Sequence, residues 1–151
     1  MTYTTTTGSK HSSDYRPVRD IARDIRADVK VAKQSGDLPT DLDLSITTRT
    51  FAGGQSIDIV IRGHEDEWQE EGPTASDPWP RVRLTDAARD LVRKVEVIAN
   101  AYNKTTRDPH TDYYDTCYYA SVEVEQTSQR VWREREAAAR KAKRDAAKAG
   151  R

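Results

Sequence analysis

The chain is short of cysteine, of long apolar runs and of net charge. Its 151 residues include one cysteine, Cys117, so no intrachain disulfide can form and a cysteine-based zinc site would lack ligands. No apolar run approaches the roughly 20 residues that a membrane-spanning helix needs. Residues 1–14 contain no hydrophobic signal core. We therefore expect a soluble protein of a reducing cytoplasm.

Apolar residues are also scarce, and they are unevenly placed. They make up 35% of the chain, and charged residues make up 33%, against roughly 45–50% and 25% in average domains. Nearly all Ile, Leu and Val lie between Val18 and Val124. We expect one domain over residues 15–125, a flexible arm at 1–14 and a basic helical tail at 126–151. The 25 basic and 25 acidic side chains cancel, so no overall field favours nucleic acid or a membrane.

The stretch from Leu42 to Arg62 predicts a β-hairpin. A two-residue turn at residues 53–54 places Arg49 opposite Asp58, and the isoleucines of both strands then share one face. Because side chains alternate along a strand, one register gives one apolar and one polar face, whereas a slip by one residue mixes them.

Two amphipathic helices flank this hairpin. The first is expected at Arg16–Ser35 with Asp14 as its cap, and the second at Thr85–Tyr102, capped by Thr85 itself. Apolar residues recur in both at three- and four-residue steps, which predicts one buried stripe per helix.

The resulting fold prediction is α+β. Residues 113–125 alternate and predict a third antiparallel strand beside the hairpin, with both helices on one face of the sheet and a charged C-terminal helix. A further strand in the N-terminal arm would complete a ferredoxin-like βαββαβ order.

Residues 64–82 predict a long loop that is acidic and rich in proline. The run 64–71 carries five acids and no Lys or Arg, and loops of this length are commonly functional or disordered. The loop contains two tryptophans, Trp68 and Trp79. One interpretation is that they fold back and cover an edge of the core. The other is that they anchor a partner protein, because tryptophan is enriched at binding hot spots.

The polar face of the sheet predicts a binding surface, formed by Arg49, Phe51, Val60, Arg62 and Tyr119. Aromatic side chains and arginines on an open sheet can hold single-stranded nucleic acid. Asp58 opposite Arg49 would oppose this by neutralising its charge. A partner protein, or the chain's own residues 64–82, would cover the same face equally well.

The tail is strongly basic. From Arg130 to Arg151 it carries nine bases and three acids. The candidates for phosphate contact are Arg133, Arg140, Lys141, Lys143 and Arg144. The alternative is a charged helix that is simply solvated.

Three residues before the last strand are weak candidates for a metal site. In an extended segment Asp108, His110 and Asp112 would share one side and offer oxygen and nitrogen ligands to a divalent cation. The alternative is a turn in which Asp side chains cap backbone groups. Because no second ligand cluster is evident, we expect no metal site and no cofactor.

The hairpin and the region after the second helix resemble a known family. The matching positions are Phe51, Ala52, Gly53, Gly54, Ser56, Ile57, Tyr102, Asp112, Tyr113 and Asp115. Over roughly residues 15–125 the chain resembles the large polyvalent protein-associated domains, small modules of phage and mobile-element proteins. The resemblance implies the cytoplasm of a bacterial cell or of a phage host, and it supplies no catalytic residue. The acidic loop and the basic tail lie outside it.

These observations favour a non-enzymatic interaction module. We expect it to bind a host or self protein through the exposed sheet face and the Trp-bearing loop. The first alternative is a nucleic-acid-binding protein that uses the basic tail and the arginine-bearing face, and the second is a small metal-dependent enzyme. Homo-oligomers are compatible with each.

Overall fold

The computed structural model describes residues 3–63, 68–73, 75–76, 78–79 and 81–150. Its helices are α1 (Val18–Ser35), α2 (Asp86–Ala99) and α3 (Thr127–Ala149). Its strands are β1 (Thr4–Thr7), β2 (Asp43–Phe51), β3 (Gly54–Arg62), β4 (Trp68–Glu71), β5 (Arg81–Leu84), β6 (Lys104–Arg107), β7 (Tyr114–Thr116) and β8 (Tyr119–Val124). None of these helices is long and apolar enough to cross a membrane. The predicted α+β class is confirmed.

The central sheet has the strand order β2-β3-β8. β2 and β3 form the predicted antiparallel hairpin, whereas β8 runs parallel to β3. The prediction of an antiparallel third strand is therefore wrong at this position. A parallel neighbour requires a crossover connection, and here the chain passes through α2, which packs against β8.

Helices α1 and α2 cover one face of this sheet, called here the inner face, and the opposite side is the outer face. The predicted helical stripes are buried, and so are the inward residues of the hairpin. The core consists of Val18, Ile21, Ala22, Ile25, Val29, Leu38, Leu42, Ile57, Ile59, Ile61, Leu91, Val95, Ala99, Tyr118 and Val124. Each fully buried isoleucine stabilises the fold by roughly 1.5–3 kcal/mol.

The hairpin register differs by two residues from the predicted one. The turn residues are Ala52 and Gly53, so Phe51 pairs with Gly54 and Ile46 pairs with Ile59. Gly53 has φ +87°, whereas Ala52 has a negative φ, which is the order of signs in a type II turn. A shift of two residues keeps every side chain on its predicted face. The faces are confirmed and the cross-strand pairs are corrected.

Two segments that were expected to be irregular contain strands. In the N-terminal arm, β1 pairs with β6, and β6 pairs with β7, which gives a second, antiparallel three-stranded sheet. Because β1 does not join the hairpin, the ferredoxin-like order is not formed. Within residues 64–82, β4 pairs with β5. Residues 64–67 of the acidic run, and residues 74, 77 and 80, lie outside the described residues.

The predicted strand at 113–125 is interrupted at Cys117 and Tyr118. There the buried side chain of Asn103 donates from Nδ2 to Tyr118 O at 2.8 Å and accepts from Thr116 Oγ1 at 3.0 Å. Its amide satisfies the backbone where the chain leaves one sheet for the other. This break separates β7 from β8.

The two inner helices begin in different ways. Thr85 caps α2 as predicted, because its Oγ1 accepts a hydrogen bond from Ala88 N at 3.2 Å. Helix α1 begins at Val18 rather than Arg16, and Asp14 does not cap it. The backbone N–H groups in the first turn of α1 therefore receive no hydrogen bond from the residue that precedes the helix.

The cap of α1 comes from the hairpin. Gln55, which is 6% exposed, accepts from Val18 N at 2.9 Å. Its Nε2 donates to the carbonyl oxygens of Arg16 at 3.1 Å and of Cys117 at 3.2 Å. One amide thus joins α1, the hairpin and the segment that leads into β8.

We expect Gln55→Leu to lower the free energy of unfolding by about 2–3 kcal/mol, because it leaves one buried N–H and two carbonyl groups without partners. Gln34→Leu, at an exposed position of α1, is the matched control and should change it little. Chemical denaturation measures both, and equal effects of the two substitutions would contradict the bridging role of Gln55.

Candidate functional site

The outer face has an end beside the hairpin turn, called here the turn end, and an opposite end, called the far end. Of the five residues predicted to form a binding face, Arg49, Phe51 and Tyr119 lie at the turn end. Val60 and Arg62 lie at the far end. The two ends differ in what covers them.

The turn end carries three aromatic rings, Phe51, Tyr114 and Tyr119, called here the aromatic cluster. The ring centroids of Phe51 and Tyr119 are 6.1 Å apart, and those of Tyr119 and Tyr114 are 6.1 Å apart with the planes only 29° from parallel. The rings remain 48%, 50% and 45% exposed for Phe51, Tyr114 and Tyr119 respectively. Together they form a continuous apolar patch that water reaches. Tyr114 was not among the predicted site residues.

Gly54 makes room for this cluster. A Cβ atom at Gly54 would lie 3.0 Å from Cε2 of Phe51 and 3.3 Å from Cε2 of Tyr119. The corrected register places Phe51 directly across from Gly54, so the Phe51 ring lies over a residue without a side chain. The close approach of the rings to the backbone depends on this glycine.

The corrected register also changes the surroundings of Arg49. Arg49 is paired with Ser56, and Asp58 is paired with Thr47. The Asp58 carboxylate accepts from Ser121 Oγ at 2.8 Å. Within the described part of the chain the Arg49 side chain has no hydrogen bond and no ion pair. The predicted neutralisation of Arg49 by Asp58 is therefore wrong.

The first turns of α3 lie beside the far end. A groove of about 460 Å³ lies between α3 and the sheet, and Val60, Arg62 and Trp132 are among its lining residues. The tail residue Arg133, predicted to be available for phosphate, instead donates to Glu125 from Nε at 2.6 Å and from a terminal nitrogen at 3.0 Å. This bidentate pair fixes the start of α3 to the end of β8.

The Glu125–Arg133 pair also sets the charge state of the far end. The hydrogen bonds from Arg133 lower the pKa of the Glu125 carboxyl below its usual value, and this outweighs the opposing effect of burial. The same contact raises the pKa of the Arg133 guanidinium. The pair is therefore charged on both sides at neutral pH.

The two tryptophans of the acidic loop differ in their environments. Trp68 packs against the core, and its Nε1 donates to Glu125 O at 3.1 Å. Trp79 is 76% exposed. The core-covering interpretation therefore describes Trp68, and the exposure needed by a partner anchor is found at Trp79.

The three weak metal candidates lie in a turn and not in an extended segment. Asp108 is buried and accepts from His110 N at 3.0 Å and from Thr111 Oγ1 at 2.9 Å. His110 and Asp112 are exposed. The capping alternative is thus the observed one, and no group of three or more His, Cys, Asp or Glu side chains in the described ranges is placed to hold a metal ion.

The rest of the basic tail projects into solvent. No residue of α3 is buried, and Arg140, Lys141, Lys143 and Arg144 are all exposed. Arg140 lies 4.0 Å from Glu136. These side chains are accessible, but the helix carries them away from any enclosed site.

A group of titratable residues around Tyr102 was not predicted from the sequence. Tyr102 OH and Lys10 Nζ each donate to Asp28, both at 2.7 Å, and Arg16 lies 2.5 Å from Asp24. Burial raises the pKa of Asp28, but the hydrogen bonds from Lys10 and Tyr102 bring it below the usual value. A small cavity of about 180 Å³ lies beside this group. Because both cations are already paired with carboxylates, the group ties the N-terminal segment to α1.

The chain matches no protein-family model, no curated protein and no solved structure. The resemblance to large polyvalent protein-associated domains stays a prediction. The aromatic cluster at the turn end is the most distinctive surface of the described residues.

We expect Arg133→Gln to destabilise the protein in a pH-dependent way. A carboxyl whose pKa is lowered on folding contributes stability above its unfolded pKa and loses that contribution as pH falls through its folded pKa. The difference in unfolding free energy between wild type and Arg133→Gln should therefore be largest near pH 7 and shrink below about pH 4.5. Arg135→Gln, at an exposed position of α3, is the control. A difference that does not change with pH would contradict the account.

Proposed function

We propose that this chain is a non-enzymatic interaction module that binds a partner protein through the turn end of its outer face. The observation that carries the proposal is the aromatic cluster. Three neighbouring rings remain about half exposed at the turn end of the outer face. Contiguous exposed apolar surface of this kind marks interaction sites.

The composition of the turn end fits a protein interface. Phenylalanine, tyrosine and arginine are enriched at interface cores, and Phe51, Tyr119 and Arg49 supply all three within one patch. The side chain of Arg49 lacks a partner among the described residues, so it is available to an acceptor on the partner. Exposed Trp79 offers a further anchor of the type found at hot spots.

A phage or mobile-element origin, and a partner that is a host protein or another copy, remain part of this proposal. They follow from the family resemblance and from the expected cytoplasmic location. The proposal requires neither a cofactor nor a reacting group.

Single-stranded nucleic acid is a second candidate partner, and one observation favours it. Arg49, which has no hydrogen bond or ion pair among the described residues, is in register with Ser56, and Ser56 is in register with Tyr119. Bases can stack on such a ring while an arginine holds phosphate. Asp58 does not neutralise Arg49, because the register pairs Asp58 with Thr47 and Arg49 with Ser56. Salt dependence separates the two candidates, because phosphate contacts weaken steeply with ionic strength and an apolar interface does not.

We expect Tyr119→Ala to weaken partner binding by roughly 30-fold, as loss of a hot-spot aromatic does. The measurement is affinity capture from bacterial lysate with immobilised wild type, Tyr119→Ala and Val97→Ala, with and without nuclease. Val97 is an exposed apolar residue on α2, on the other side of the sheet, and its variant is the matched control.

The proposal is supported by a protein that wild type and Val97→Ala retain after nuclease, and at high salt, but that Tyr119→Ala loses. Loss of all captured material after nuclease treatment would contradict a protein partner and would favour single-stranded nucleic acid. Equal capture by wild type, Tyr119→Ala and Val97→Ala would show that the aromatic cluster does not bind the partner.

A further inference from the structure

We infer that the free edge of β2 binds an extended acidic peptide, which adds to the central sheet as a fourth strand beneath a basic stripe of α1. This inference rests on the proposed function, since it names the chemistry of a protein partner. It uses a different surface, the edge of the sheet instead of its outer face. The two can therefore fail separately.

The edge of β2 is long, and no described strand pairs with it. β2 has nine residues and forms one side of the sheet order β2-β3-β8. Proteins commonly protect such edges with lysine, proline or a bulge. The sequence DLSITTRTF contains neither residue, and its pairing with β3 is continuous from Asp43 to Phe51.

Alternate residues of β2 direct their backbone groups outward. The two-residue turn closes on the pair Phe51–Gly54, so the odd-numbered residues of β2 bond to β3 and the even-numbered ones face away. The hydrogen bond from the Arg26 guanidinium to Ile46 O, at 2.9 Å, agrees with this. The N–H and C=O groups of Leu44, Ile46 and Thr48 are thus the ones that an added strand would meet.

A stripe of basic side chains runs along α1. Its members recur at four- and three-residue steps and therefore share one side of the helix; they are Arg19, Arg23, Arg26, Lys30 and Lys33. Arg26 reaches the edge directly, since it donates to Ile46 O, and Lys33 donates to Leu42 O, immediately before β2. The stripe therefore lies beside the β2 edge.

The acidic residues of α1 are mostly engaged elsewhere. Asp28 is held by Lys10 and Tyr102, and Asp24 is held by Arg16. Arg23 lies 3.8 Å from Asp20 and 3.8 Å from Asp24, and these are the two carboxylate contacts of the stripe that the described residues show. The stripe thus presents positive charge along an open edge, and it uses backbone carbonyl groups as acceptors where no carboxylate is in reach.

The complementary occupant is a strand with acidic side chains at alternate positions. Backbone pairing with Leu44, Ile46 and Thr48 would give affinity, and side chains on the inner side, every second residue, would point toward α1. Carboxylates at those positions would replace the carbonyl oxygens as acceptors for Arg26 and Lys33. A second copy fits less well, because two-fold pairing of β2 would bring two basic stripes together.

The test is an NMR titration with a short peptide in which glutamate alternates with valine, up to about 1 mM, the weak limit of measurable association. We expect slowed amide exchange at Leu44, Ile46 and Thr48 and binding that weakens with salt. Thr48→Pro removes an outward N–H without breaking a bond to β3 and should weaken binding roughly tenfold. A lysine–valine peptide should bind wild type far less well than the glutamate peptide does.

A charge-reversed protein keeps the test independent of folding defects. The Arg26→Glu, Lys30→Glu double variant should lose the glutamate peptide and gain the lysine peptide, whereas Tyr119→Ala should bind the glutamate peptide as wild type does. Three results would overturn the inference. These are no binding of the glutamate peptide, binding that Thr48→Pro leaves unchanged, and slow exchange at the edge without peptide that reports pairing with a second copy.

Discussion

The register between β2 and β3 is the constraint on which the rest of the structure depends. With the turn at Ala52 and Gly53, Ile57, Ile59 and Ile61 point to the inner face, where α1 and α2 bury them. The same register brings Gln55 to the start of α1 as its cap. A slip by one residue would expose the isoleucines and withdraw that cap together.

Both proposed surfaces follow from this pairing. On the outer face, the Phe51 ring lies over Gly54 and reaches Tyr119, which belongs to β8 and is placed by its parallel pairing with Ser56. At the edge, the turn decides which backbone groups of β2 remain outward. Helix α3 is held at the far end by Glu125 and Arg133, whereas the rings at the turn end remain about half exposed.

The sequence predicted the faces and the buried stripes because these depend only on the period of side chains along a strand or helix. It could not fix the register, since Gly53 and Gly54 offer two turns that leave every residue on the same face. Nor does alternation in residues 113–125 encode strand direction, so the parallel pairing of β8 was missed. The cap of α1 comes from Gln55, 37 positions from Val18, and no local sequence pattern predicts a contact at that separation. Tyr114 joins the aromatic cluster only because the chain breaks at Cys117 and Tyr118.

The most direct test of this account is the set of cross-strand proton contacts in the hairpin, measured by NMR. In the register described, Ile46 with Ile59 and Thr48 with Ile57 are pairs without mutual hydrogen bonds, with Cα atoms about 4.5 Å apart. We expect strong nuclear Overhauser effects between their Hα protons. Strong effects between Arg49 and Asp58, and between Thr47 and Val60, which are the pairs without mutual hydrogen bonds when the turn lies at residues 53–54, would show the other register and contradict the account.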